Sequence, residues 1–111
     1  MGVYETATKL ANEIKNSKEY RNFTKSMNEL KNDKNSENLL KEYRINQMQL
    51  QRYRIKNEKI DKKTAIKFES TQKKISKNKK VATYLESEQK INLLMDNINK
   101  ILAQAIENDY R

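Results

Sequence analysis

The sequence predicts an all-α protein: a helical bundle of about four to five helices with a long antiparallel helical hairpin, assembled as an oligomer. Three observations carry that expectation. There is no proline and a single glycine, Gly2, so the residues that punctuate strands and tight turns are missing. Apolar residues recur at steps of three and four almost throughout. And only 23 of 111 residues are Leu, Ile, Val or Phe, a fraction close to the roughly 20% below which highly charged chains fail to fold alone. A core that thin gains most by burying apolar area against a second copy.

The helices follow in order. Val3, Ala7, Leu10, Ala11 and Ile14 form a first stripe. Ser17 is positioned as the N-cap of a second helix carrying Tyr20, Phe23, Met27 and Leu30. The polar run NDKNSEN, residues 32–38, breaks the pattern, and Ser36 is the expected cap of a third helix. That helix reads LLKEYRINQMQLQRYRIK over 39–56 and fades in KNEKID, residues 56–61. It is apolar on two sides. Leu39, Leu40, Tyr43 and Leu50 make one stripe with Gln47 in the gap; Ile45, Met48, Arg52 and Ile55 make another. Asp61 can cap a fourth helix with Ala65, Phe68 and Ile75, Thr71 or Gln72 lying between them. Asn78 can cap the last and longest, whose stripe runs from Val81 to Ile106 over about seven turns, roughly 40 Å. Glu88 interrupts it. Length allows one domain, residues 1–111.

Composition excludes much chemistry. Cysteine and histidine are both absent, so thiolate or imidazole metal sites and Cys–His or Ser–His nucleophile systems cannot be built. There is no glycine-rich phosphate loop, and the carboxylates are dispersed. No catalytic, cofactor-binding or metal-binding residue is therefore assigned, and a protein without enzymatic activity is expected. MGVYETATKLANEIK has early acidic residues and no apolar core of signal-peptide length, and no run is long enough to span a membrane. A cytoplasmic location is expected.

Charge is concentrated. Residues 52–80 hold twelve basic and three acidic residues, which accounts for the whole formal net charge of +9. Arg52, Arg54, Lys56, Lys62, Lys63, Lys73, Lys74 and Lys77 are the candidate surface for a partner or anion. If helices three and five pack antiparallel, this segment is the far end of the hairpin. Tyr53 and Phe68 are too few for a base-stacking platform, yet direct RNA or DNA binding through 52–80 stays an alternative, one that predicts strong salt dependence. Charge runs are more often solvated faces. The polar intruders Gln47 and Glu88, with Arg44 one turn from Gln47, are read as a small network fixing register between helices three and five or between subunits. On that reading one side of helix three packs within the chain and the other on a second copy.

Three stretches in order, VYETATKLANEIKNSKEY, LLKEYRINQMQLQ and NKKVATYLESEQKINLLMDNINKIL, resemble the YlbF/YmcA family of small bacterial helical regulators, most nearly its YheA-type members. Arg44, Gln47 and Glu88 match residue types of the family pattern. The resemblance implies an all-α fold with a long helical hairpin, a dimer or larger oligomer, and a non-catalytic adaptor that joins protein partners. In the better-studied branch those partners include endoribonuclease Y, with effects on mRNA processing, biofilm formation, competence and sporulation. Two departures stand out. Some members of that branch carry cysteines linked to iron–sulfur clusters, a role this cysteine-free sequence does not share. The glycine usual at the exit of the third helix is Asn57 or a neighbour here.

Overall fold

The structure is a computed structural model and describes residues 2–109. Among these residues the chain forms five helices and no strand: α1 Val3–Lys15, α2 Lys18–Lys31, α3 Lys34–Lys56, α4 Lys62–Ser76 and α5 Lys79–Asp109. The all-α expectation holds, and α3 and α4 are separate helices.

Local chemistry sets the boundaries. The Ser17 side chain accepts from the Tyr20 N–H at 3.2 Å and starts α2, as expected. The expected start of α3 is corrected. Asp33, not Ser36, is its N-cap, and Asp33 Oδ1 accepts from the N–H groups of Asn35 and Ser36. A carboxylate both accepts these bonds and sits favourably at the positive end of the helix dipole. Ser36 is instead fully buried one turn in. Its hydroxyl donates to Asp33 Oδ2 at 2.9 Å and accepts from Asn78 Nδ2 at 3.0 Å. Asn78 in turn caps α5, its Oδ1 accepting from the Val81 N–H at 3.1 Å. The starts of α3 and α5 are thus tied together.

The exit of α3 answers the missing glycine. Asn57 is left-handed, φ 56° and ψ 36°. The Glu58 N–H bonds to the Tyr53 carbonyl and the Asn57 N–H to that of Arg54, the two bonds of a Schellman cap. Asparagine is the side chain that tolerates this conformation best after glycine. Asp61 then caps α4 by accepting from the Thr64 N–H at 2.7 Å.

Contacts between side chains give the helix directions. Ser36 meets Asn78 and Arg44 meets Glu88, so α3 and α5 run side by side in the same sense. Asn46 meets Thr71 and Tyr53 meets Asp61, so α4 returns antiparallel to α3. The antiparallel hairpin is therefore α3–α4, and the antiparallel course supposed for helices three and five does not occur. A short break at 57–61 reverses the chain there, and a second at 77–78 reverses it again. The most extensive helix–helix contact is α2 on α5.

The core is where α2 to α5 converge: Leu30, Leu39, Ile75, Val81 and Tyr84, with Phe23, Met27, Leu40, Tyr43 and Leu85 half-buried around them. Phe23 and Tyr84 stack at a tilt of 35°, centroids 5.5 Å apart. α1 touches α2 and has no buried residue. On α5 a seam runs at alternating steps of three and four through Tyr84, Ser87, Ile91, Leu94, Ile98, Ile101 and Ala105. Its first three residues are buried, the next two half-buried and the last two exposed. α2 has 14 residues against 31 in α5, about 21 Å against about 46 Å, so α5 outlasts its cover.

The molecule is flat and open, 56 × 38 × 17 Å, with a radius of gyration of 18.6 Å. A compact domain of this size has about 13 Å.

Candidate functional site

Two polar clusters join the helices, and exposed cations lie along α3 and α4. The first cluster joins α3 to α5. Arg44 Nη2 lies 2.6 Å from Glu88 Oε2, the Tyr84 hydroxyl donates to the same oxygen at 3.1 Å, and Arg44 Nη2 donates to the Tyr84 oxygen at 3.4 Å. The Arg44 guanidinium carbon is 5.9 Å from the Tyr84 ring centre. Glu88 raises the Arg44 pKa through this hydrogen bond. Burial, and next the bond to Glu88, push the Tyr84 phenol above its ordinary value. Arg44 and Glu88 thus form a pair, on the rim of the core rather than inside it. Gln47 is exposed and makes no hydrogen bond among the described residues; it only borders the open grooves beside the pair. The three-member network read from the sequence is reduced to two members plus Tyr84.

The buried polar residue of α3 is its neighbour. Asn46 is 5% exposed, and its amide donates to Thr71 Oγ1 at 2.8 Å. Thr71, almost fully buried on α4, bonds to Glu42 Oε1 at 2.9 Å. Lys74 closes the cluster 3.9 Å from Glu42. Asn46 Oδ1 is left without a partner. The signal was available. Leu39, Tyr43, Asn46, Leu50 and Tyr53 recur at four, three, four and three, the spacing of a packed seam, and this puts the polar step on Asn46. A second missed pair is Ser26 with Ser87, oxygens 2.6 Å apart and buried where α2 meets α5. These small side chains floor a groove of about 640 Å³ between the two helices.

All eight basic candidates are exposed. The fold does not gather them into one patch. Arg52 and Lys56 border a shallow groove near the α3–α4 turn, and Lys62 and Lys63 open α4. Lys73, Lys74 and Lys77 lie at the far end of α4, which is 15 residues long, about 22 Å. Arg54 faces the groove with Gln47 and Met48. Of these eight, only Lys73, with Glu69, and Lys74, with Glu42, make ion pairs among the described residues. Between these cations the second stripe of α3 is uncovered: Ile45, Met48 and Ile55 are 52%, 57% and 76% exposed.

Among the described residues no group of three or more Asp or Glu is placed to hold a metal ion, and no helix is long and apolar enough to cross a membrane.

Fold and side chains together define a class: a small, open, all-helical protein whose distinctive features are exposed helix faces and separated basic clusters. Within that class the chain belongs to the YlbF/YmcA family, described as control of competence regulator ComK, whose profile matches residues 3–107. It is 34% identical to a UPF0342 protein of Clostridium novyi over 112 residues, 99% of this chain and 96% of that one. It is 23% identical to the UPF0342 protein YheA of Bacillus subtilis, covering 96% of this chain and 92% of the relative. Among solved structures it is similar to a protein of unknown function (DUF964) from Bacillus stearothermophilus, with a TM-score of 0.77 and 16% identity over 98% of this chain and 96% of that one. That likeness extends to the fold.

Proposed function

We propose that this protein is a non-catalytic regulatory adaptor that self-associates and binds protein partners, acting on endoribonuclease Y-dependent mRNA processing and so on cell-fate decisions. The observation that carries the reading is the second stripe of α3. Three large apolar side chains stand in water there, flanked by Arg52, Arg54 and Lys56, none of which is ion-paired among the described residues. An apolar stripe edged by unpaired cations suits an amphipathic helix with acidic flanks, seated as a helix in a groove. Family membership supports a regulatory role. The stripe was also open to occupation by a second copy, but two copies meeting there would bring these cations together, so an acidic partner fits it better.

The test is binding of the soluble part of endoribonuclease Y to this protein, measured by interferometry. Met48→Glu should abolish it, and Arg52→Glu should weaken it and lower the association rate. Equal binding by both variants would sink the assignment.

A second reading is direct nucleic-acid binding by the exposed cations of α3 and α4. It predicts that affinity for single-stranded RNA falls steeply with salt. The separation of the cations into two ends of α4 argues against one continuous phosphate track.

A further inference from the structure

We infer that the distal half of α5 is the face through which two copies of this chain associate, an inference that rests on the self-association proposed above and locates it away from α3. Four observations converge on it. The seam of α5 is continuous in spacing, yet its burial stops where α2 ends. Beyond that point Ile101, Leu102 and Ile106 are 67%, 53% and 60% exposed. An apolar seam buried over half its length and bare over the rest is the pattern of an interface missing its other half.

The second observation is area. The chain exposes 9310 Å², where a compact protein of 13.2 kDa exposes about 6,400 Å². The difference is well above the roughly 800 Å² each partner buries in a standard interface.

The third is charge, which selects the occupant. The formal excess of +9 lies in residues 52–80. Residues 92–109 instead carry three acidic groups and one basic one. Two copies of a strongly basic chain repel least through the part that is not basic. The fourth is the border of the seam. Met95, Asn97, Leu102 and Gln104 occupy the positions beside it, where coiled-coil partners usually choose each other by charge. All four are uncharged, so nothing there repels an identical helix. A foreign partner would normally be selected by charge at those positions; an identical one needs only the apolar match, closed by a two-fold axis.

Sedimentation equilibrium of the full chain tests this, with Ile101→Glu and Met48→Glu beside the wild type and far-UV circular dichroism as the check on folding. Ile101 is exposed in the single chain, so its replacement should leave the helical signal intact. The wild type should be a dimer. Ile101→Glu should raise its dissociation constant about a hundredfold, because the symmetry places the charge in the interface twice. Met48→Glu should not change it. A dimer lost in Met48→Glu and kept in Ile101→Glu would overturn the location while sparing self-association. A monomeric wild type would overturn both, and would leave partner binding by α3 to be judged by its own assay.

Discussion

Asp33 serves two helices at once. It caps α3 through backbone N–H groups, accepts from the buried Ser36 hydroxyl, and lies 3.6 Å from Lys80 in the first turn of α5. The bond from Ser36 is the main reason its carboxyl sits below the ordinary 3.8, with the N–H groups and Lys80 helping. Asp61 is lowered in the same way, chiefly by the Thr64 N–H. A carboxyl whose folded value is depressed adds stability above its unfolded value and loses it as pH falls through the folded one. Thermal melts between about pH 5 and pH 2 should therefore show α3 and α4 loosening on the acid side of 3.8. Asp33→Asn keeps the cap but cannot titrate, so its melting temperature should fall less steeply over that window. Asp33→Ala should lower the melting temperature at neutral pH by several degrees. An unchanged acid profile in Asp33→Asn would remove Asp33 from this account.

At the scale of elements, the α3–α4 hairpin is fixed by a polar pair inside its packing. Thr71→Val leaves the Asn46 amide without its partner and takes one of Glu42's two, at a cost of about 1–3 kcal/mol. Adding Asn46→Leu removes the stranded amide and should recover most of that loss. Urea unfolding of the two variants measures both steps; a double variant no more stable than the single one would show that Asn46 is not the stranded group. These elements also show what the sequence makes legible. Ser17, Asp61 and Asn78 were readable as caps because capping is decided within three residues. The α3 cap is Asp33 and not the expected Ser36, because burial of Ser36 against Asn78, a tertiary matter, places it inside the helix. The polar step falls on Asn46 and not on the expected Gln47, because one residue of drift separates the Leu39–Leu50 stripe from the packed seam. The parallel course of α3 and α5 is not legible in the sequence, because the two short breaks at 57–61 and 77–78 determine it. The eight cations are exposed, and their division between the two ends of α4 is a product of the fold.

For the whole molecule the relevant number is the ratio of core to surface. Five buried apolar residues form the main cluster, in a chain 17 Å thick. Such a monomer has little stability to spare, and association adds to it by mass action. The melting temperature should rise as protein concentration increases in the wild type and should stop doing so in Ile101→Glu. Scanning calorimetry over a wide range of concentrations makes the comparison. A melting temperature independent of concentration in both would mean that the chain is stable without a second copy.

The isolation of α1 has a consequence for the timescales of the molecule. It has 13 residues, no side-chain cap at Gly2 and nothing buried, and helices of about 12–15 residues are marginal on their own in water. Its amides should therefore open one helix at a time, without waiting for the core to unfold. In deuterated buffer α1 should take up label early, while Val81 to Ile91 hold their protons until the entire fold opens. The chain would then carry at its front a segment that spends part of its time as coil, free to refold on whatever surface first offers Leu10 and Ile14 a place to rest.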